Sequence, residues 1–305
     1  MVGKRNFTDW VIDIFIVLFM VFFIAAVMYP LLNALAISLN HAEDTLRGGI
    51  GLWPRVFAWE SYRSIFNNPI VWRAYSITLA RTGVGTITAL ISTGIISYGL
   101  AHNNLVGRKF YSLFCLIPMY FVGGLIPIFL LIRAMGLFNS FWVYIIPAQI
   151  GLFNIILMRT FFQQLPESLE ESAQLDGANY LTIFFKIIIP ISTPIIATIA
   201  LFIGVGHWND WFFGNVYITN PNLRPMQNVL MSLVEEARFS EMMAALAAQN
   251  PAAAAAAGLQ ARGRTTNVRS IQMATMFITI IPVIVVYPFL QRYFIKGIMV
   301  GAVKG

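Results

Sequence analysis

The chain of 305 residues is 58% hydrophobic and 14% aromatic, with only 11% charged residues and a mean hydropathy of +0.73, a balance that excludes a soluble domain and gives a polytopic membrane protein. A net charge of +7 and a pI near 9.7 would suit a nucleic-acid partner, but no basic stripe with interleaved aromatics is present, so no nucleic acid is expected and the excess reads as topology. The single cysteine, Cys115, excludes an internal disulfide framework and a cysteine-clustered metal site; among Leu113, Phe114, Leu116 and Ile117 it reads as a small buried hydrophobe.

The first span is expected over 11–37, with Pro30 kinking its outer third. Lys4 and Arg5 precede it, but the apolar run is too long for a signal-peptide core and ends in no small-residue cleavage site, so it reads as a retained span. Residues 38–70 turn polar and aromatic, with Trp53, Trp59 and Tyr62 among Arg47, Arg55 and Arg63, as in a loop at the outer interface. The second span, 71–101, is rich in Gly, Ser and Thr, residues that let helix backbones approach closely. Arg81 lies inside it and is either satisfied by a structural partner or a contact for substrate. Arg108 and Lys109 mark a short cytoplasmic turn. A third span over 110–132 is expected to bend at Pro118, Gly123, Gly124 and Pro127, and a fourth follows over 141–162.

Residues 163–186 are the one long polar interruption with internal order of its own. Pro166 suits a first helical position, Glu167, Glu170 and Glu171 crowd the positive end of the helix dipole, and Gly177 supplies the left-handed exit. Leu169, Ala173 and Leu175, with the small Ser172, give this helix a modestly apolar face. Such a helix can lie in the headgroup region, but an acidic first turn matches an anionic leaflet poorly and fits a protein partner better.

Glu171, Ser172 and Ala173, then Gly177, then Ile187, Ile189 and Pro190 stand at the spacing of the EAA loop, with Ser172 in place of the first Ala and Ile189 in place of Leu. The stretch resembles the cytoplasmic helix-turn-helix by which permease subunits of bacterial ABC importers grip their ATPases. The fuller run LEESAQLDGA, Leu169 to Ala178, is similar to the version in carbohydrate importers of the maltose type. That resemblance implies ATPase-coupling roles for Glu170, Glu171, Ser172, Ala173, Asp176, Gly177 and Pro190.

A fifth span is expected over 187–213, ending in GVGHWNDWFF. The Trp-Asn pair followed by aromatics again resembles sugar permeases. A sugar offers flat faces for stacking and hydroxyls for Asn and Asp, so Trp208, Asn209, Asp210 and Trp211, with Arg81, are candidates for a substrate path; an interfacial aromatic belt is the competing reading. His207 has no second metal ligand at helical spacing. Residues 214–270 form the longest external segment, with an alanine-rich insert at 242–258 read as exposed helix or mobile loop. The resemblance implies that this loop reaches toward an external binding protein.

The sixth span, 271–290, and the tail 291–305 resemble the C-terminus of maltose-type permeases, and Arg292, Lys296 and Lys304 suit a cytoplasmic end. All lysines fall on the proposed inner side, so both termini are expected in the cytoplasm of a bacterial inner-membrane protein.

The expected fold is all-α, about six spans in a single transmembrane domain over 1–305, of the type I ABC importer permease kind. The chain has no Gly-x-x-x-x-Gly-Lys-Ser/Thr loop, so it binds no cofactor itself and ATP with Mg belongs to partner subunits. The resemblance implies two ATPase subunits, a homologous sister permease, an extracellular solute-binding protein and the lipid bilayer as partners. An ion-coupled secondary transporter is the alternative; it would need paired broken helices and an acidic ion site inside a span, and the sequence shows no acidic residue well inside one.

Overall fold

The computed structural model describes residues 7–121, 123–247 and 267–302, which form helices and turns, with an isolated bridge between Asn40 and Phe57. The all-α architecture is the expected one. Among the described residues four helical stretches are long and apolar enough to cross a membrane, Phe7–Ser38, Pro69–Ala101, Thr193–Val216 and Val268–Pro288, and two bent helix pairs bring the number to six where each pair counts as one span. The chain divides into two compact units, Met1–Pro69 with Leu230–Thr279, and Ile70–Val229 with Ile280–Gly305.

In the first unit α1 (Phe7–Ser38) continues through Pro30, and among the described residues no side chain of its most apolar stretch is buried. A helix apolar on every side needs lipid or another membrane helix around it. The following segment is more ordered than an interfacial loop. The Asn40 amide donates to Asp44 Oδ2 (2.9 Å) and Thr45 Oγ1 (3.1 Å), its Oδ1 accepts from Val56 N (3.0 Å), and Arg55 Nε reaches Asp44 at 2.9 Å. The Asn40 hydrogen bond, helped by Arg55, holds the Asp44 carboxyl below the usual carboxylate range. These bonds fix α2 (Ala42–Leu46) beneath the strand-like crossing of residues 40 and 57, and Ser38 meets Tyr62 of α3 (Glu60–Phe66) at 2.9 Å.

The second unit carries α4 (Pro69–Ala101), where the expected close approaches are selective. A Cβ on Gly85 would collide with the His207 imidazole, and one on Gly94 would lie 3.0 Å from the Phe184 ring, whereas Gly83 and Gly99 face open space. The third span, expected to bend, and the fourth, for which no bend is expected, are both broken helices. The third divides into α5 (Arg108–Tyr120) and α6 (Leu125–Ala134), with Gly124 at φ +87°; the fourth divides into 3₁₀ turns over Phe141–Tyr144 and Ile146–Ala148 and then α7 (Leu152–Phe162), bent by 46°. Pro147 lacks the N–H that a continuous helix needs, and Gly151 then starts a new helix, so the break is where backbone bonding fails.

Ahead of the fifth long apolar stretch stand α9 (Tyr180–Ile183), a π-helical turn over Phe184–Ile188 and α10 (Ile189–Ile191); α11 (Thr193–Asn209) follows and breaks before α12 (Phe212–Tyr217). Residues 214–247 are largely helical and hold α13 (Met226–Ala247), whose first N–H donates to Thr78 Oγ1 at 2.8 Å. Residues 242–247 of the alanine-rich insert belong to α13; 248–258 lie outside the described residues. The last helix, α14 (Val268–Ala302), runs through the expected span end at 290 and most of the tail, with Lys304 outside the described residues. Two apolar clusters organise this unit: Tyr98, Met158, Phe162, Ile183, Phe184, Ile188 and Ile199 form one, and Ile132, Val143, Tyr144, Ile145, Tyr217 and Ile218 lie in the other.

Candidate functional site

The stretch from Pro166 to Pro190 folds as two short helices around a tight exit. Leu169 N donates to Pro166 O (3.2 Å) and Glu170 N to Glu167 O (3.0 Å), so a 3₁₀-like turn leads into α8 (Ser168–Leu175), and Pro166 stands ahead of the first helical residue rather than at it. At the other end Gly177 has φ +84°, Ala178 N donates to Ala173 O and Gly177 N to Gln174 O, both at 2.9 Å. This pair of bonds is a Schellman closure, which needs a left-handed residue where Gly177 stands. Asn179 Oδ1 then accepts from Thr182 N at 2.8 Å and caps α9.

A Cβ on Gly177 would meet nothing within 4 Å, so only the backbone angle resists an alanine there. Gly177→Ala is therefore expected to cost about 1–2 kcal/mol, and Gly177→Asn, which tolerates the left-handed region, distinctly less. Thermal unfolding of the purified full chain checks this, and equal losses in the two variants would contradict it.

The faces of α8 differ from the expected single apolar stripe. Ala173 packs on the cluster around Phe184, whereas Leu169 is 40% exposed and Leu175 is 89% exposed. Residues two apart on a helix do not share a face, so Ala173 and Leu175 cannot both point inward. Glu171, Ser172, Gln174 and Asp176 are also exposed, with Ser172 Oγ donating to Ser168 O at 2.8 Å. Pro190 is exposed in α10.

Glu170 behaves differently from Glu171. Its Oε2 lies 2.7 Å from Nε2 of His102, at the end of α4, while His102 Nδ1 lies 2.8 Å from the carbonyl oxygen of Tyr98. A carbonyl only accepts, and so does an ionised carboxylate, so the geometry requires a proton on both ring nitrogens or one on Glu170. The imidazole also meets Tyr98 and Tyr180 edge to face, at 4.6 and 5.6 Å between centroids. Thus one short hydrogen bond ties α8 to the end of α4, and the same imidazole links Tyr98 of α4 to Tyr180 of α9 by edge-to-face contacts. No local pattern marks His102, which is 68 residues from Glu170. A cavity of about 450 Å³ opens beside the tie, with His102, Asn103, Gln163, Glu167, Glu171 and Tyr180 on its walls.

The second group lies where α11 stops. Arg81 is wholly buried in α4, and its guanidinium stands 5.0 Å over the Tyr144 ring. One nitrogen donates to Asp210 Oδ2 at 3.1 Å and another to the Asp210 carbonyl oxygen, while Nε has no partner. The other carboxylate oxygen, Oδ1, accepts from Phe212 N (3.0 Å) and Phe213 N (3.3 Å), capping α12. Asp210 therefore bridges the gap between α11 and α12 and fastens it to α4. Asp210 also borders a cavity of about 290 Å³, together with Tyr144, Asn154, Phe202, His207 and Phe213.

The neighbouring candidates disperse. Trp208 is buried edge-on against Tyr75 (5.9 Å) and lines a separate apolar cavity of about 820 Å³. Asn209 is exposed, and Trp211 is 41% exposed with its carbonyl oxygen accepting from Asn228 Nδ2 at 2.9 Å. The structure brings Arg81 and Asp210 together and leaves the other three on different sides of the helix end.

No protein-family model matches the chain. It is 27% identical over 293 residues to a probable ABC transporter permease protein, YurM, of Bacillus subtilis, covering 94% of this chain and 87% of that one. It is 34% identical over 298 residues to the polygalacturonan/rhamnogalacturonan transport system permease protein YtcP of Bacillus subtilis, covering 96% and 98%. The chain belongs to the carbohydrate ABC-importer permeases. A solved bacterial ABC transporter involved in the import of the acidic polysaccharide alginate contains a chain with the same fold as this permease, with a TM-score of 0.83, 28% identity and coverage of 96% and 99%. The permease is a multi-pass inner-membrane protein, and its relatives are transport subunits rather than ATPases.

Proposed function

We propose that this permease forms half of a pathway for an oligosaccharide containing uronic acid residues, on the maltose-type plan, with a homologous sister permease forming the other half. The observation that carries the reading is the outward face of α8. Glu171, Ser172, Gln174, Leu175 and Asp176 are left exposed on a helix that is itself anchored through Ala173 and Glu170. An exposed Leu beside carboxylates, on a helix held from behind, suits a cleft in a protein partner better than lipid. Two ATPase subunits would receive such helices, one from each permease, and would supply the energy. Both termini then lie in the cytoplasm, and an extracellular binding protein delivers cargo to the opposite side.

For the cargo, the cavity beside Asp210 offers the aromatic faces of Tyr144, Phe202 and Phe213 together with the polar groups of Asn154 and His207, a combination that suits sugar rings. The acidic class is supported by the described roles of two similar proteins, one for polygalacturonan or rhamnogalacturonan and one for alginate. Arg47, Arg55, Arg63, Arg133 and Arg224 stand on segments placed outside, where they would draw in a polyanion.

The test is uptake into proteoliposomes holding the permease, its sister, the ATPases and the binding protein. ATP-dependent uptake of a short galacturonate oligomer, not competed by a neutral oligomer of equal length, is the expected result. Uptake driven by an ion gradient without ATPases would overturn the importer reading, and equal competition by the neutral oligomer would overturn the acidic class.

A further inference from the structure

At the end of α4 near His102, Arg108, Lys109 and Arg159 share a cavity of about 460 Å³, completed by Ser112, Leu113 and Leu116. Its lining holds three cations and no carboxylate, and among the described residues none of the three forms an ion pair with Asp or Glu. The cations are placed by specific bonds. Arg108 Nε donates to Leu100 O at 3.1 Å and another of its nitrogens to Asn103, while an Arg159 nitrogen donates to Ser112 Oγ at 3.1 Å. The Nε of Arg159 is buried without an acceptor.

Such an arrangement is unfavourable as it stands, because like charges repel across a partly dry cavity and a buried N–H lacks its hydrogen bond. An anion in the cavity relieves both. The apolar surroundings indicate which anion. Leu113 and Leu116 form part of the lining, and along the same helix Phe110, Leu113, Phe114 and Ile117 are 66%, 57%, 67% and 49% exposed, a wall that must face lipid or another membrane helix. A soluble anion would use the cations and leave that wall without a role. A zwitterionic headgroup would bring a cation to a cavity with no carboxylate to receive it.

We propose that Arg108, Lys109 and Arg159 hold the headgroup phosphate of an anionic phospholipid, whose acyl chains lie along the exposed face of α5. Arg159 provides the most buried contact, through Nε. Lys109, which is exposed, adds charge at the rim. Ser112 orients the Arg159 guanidinium and leaves its remaining donors for phosphate oxygens.

The experiment places the full chain in nanodiscs of equal phosphatidylglycerol and phosphatidylcholine, extracts it gently into detergent, and counts retained lipids by native mass spectrometry. Phosphatidylglycerol should be retained in preference. Lys109→Gln and Arg159→Gln should each lower that retention roughly fivefold, the scale expected for one basic residue at an anionic surface. Arg159→Lys, which keeps the charge, should retain more than Arg159→Gln, and Lys109→Gln alters only an exposed side chain, so a folding failure at Arg159 does not decide the result. Equal retention of the two lipids by the parent chain would overturn the proposal, as would unchanged retention in Lys109→Gln and Arg159→Gln. Displacement of phosphatidylglycerol by inorganic phosphate would assign the cavity to a soluble anion and overturn the lipid.

Discussion

Replacing Asp210 with alanine is expected to destabilise the inserted permease by about 3–5 kcal/mol, the usual consequence of leaving one member of a buried ion pair alone. Arg81 is 0% exposed and has no other carboxylate partner among the described residues, so its charge would stay buried beside the Tyr144 ring. The same substitution removes the oxygen that accepts Phe212 N and Phe213 N, which adds about 1 kcal/mol for a lost cap. Such a loss is a large part of the 5–15 kcal/mol that holds a typical fold. The double variant Arg81→Met with Asp210→Asn should recover most of it, because methionine fills the space without charge and asparagine keeps the capping oxygen. Heating the detergent-solubilised full chain and following its monodisperse fraction separates the cases. An Asp210→Ala chain as heat-stable as its parent would show that the pair contributes nothing, and a double variant as weak as the single would show that Arg81 has work beyond answering Asp210.

This pair also marks how far the sequence could be read. Arg81 and Asp210 were each conspicuous alone, as charges in or beside apolar runs, but they are 129 residues apart and nothing local announces that they meet. Glu170 and His102 are the same case at 68 residues. What was legible was local. The exit at Gly177 needs only a helix end, a glycine and a following cap, all within a few residues, and the Schellman bonds form where that pattern predicts. The proline and glycine positions in the third span read as a bend, since sequence alone does not say whether freed backbone groups are recovered within a helix or by ending it, and those at Pro147 and Gly151 in the fourth went unread. One argument against an ion-coupled carrier also fails in detail. Asp210 lies within the apolar stretch Thr193–Val216, at a helix break, and broken helix pairs are present. The family assignment stands on the relatives and not on the supposed absence of those features.

The two glutamates of α8 should separate when each is replaced. Glu171→Ala removes a favourable interaction with the helix dipole of only about 0.3–1 kcal/mol from an exposed position, too little to unfold the chain. If Glu171 enters a cleft of the ATPase, its loss leaves a partner charge buried, at about 2–5 kcal/mol, or roughly thirtyfold or more in affinity between the subunits. Glu170→Ala instead releases the His102 tie. Both side chains of that pair retain some exposure, 27% and 22%, so water takes over part of the bond and the static loss should be no more than about 1 kcal/mol. Its effect should appear in transmission, since α8 would no longer be fastened to α4 when the ATPases move. Reconstituted complexes distinguish the two through ATPase-subunit affinity and the ratio of uptake to binding-protein-stimulated hydrolysis. Glu171→Ala should lower the affinity, whereas Glu170→Ala should assemble nearly as well as the parent but import less sugar per ATP hydrolysed. Normal affinity and normal stimulation in Glu171→Ala would remove the outer face of α8 from the interface, and an unchanged uptake ratio in Glu170→Ala would reduce the His102 tie to a purely local contact.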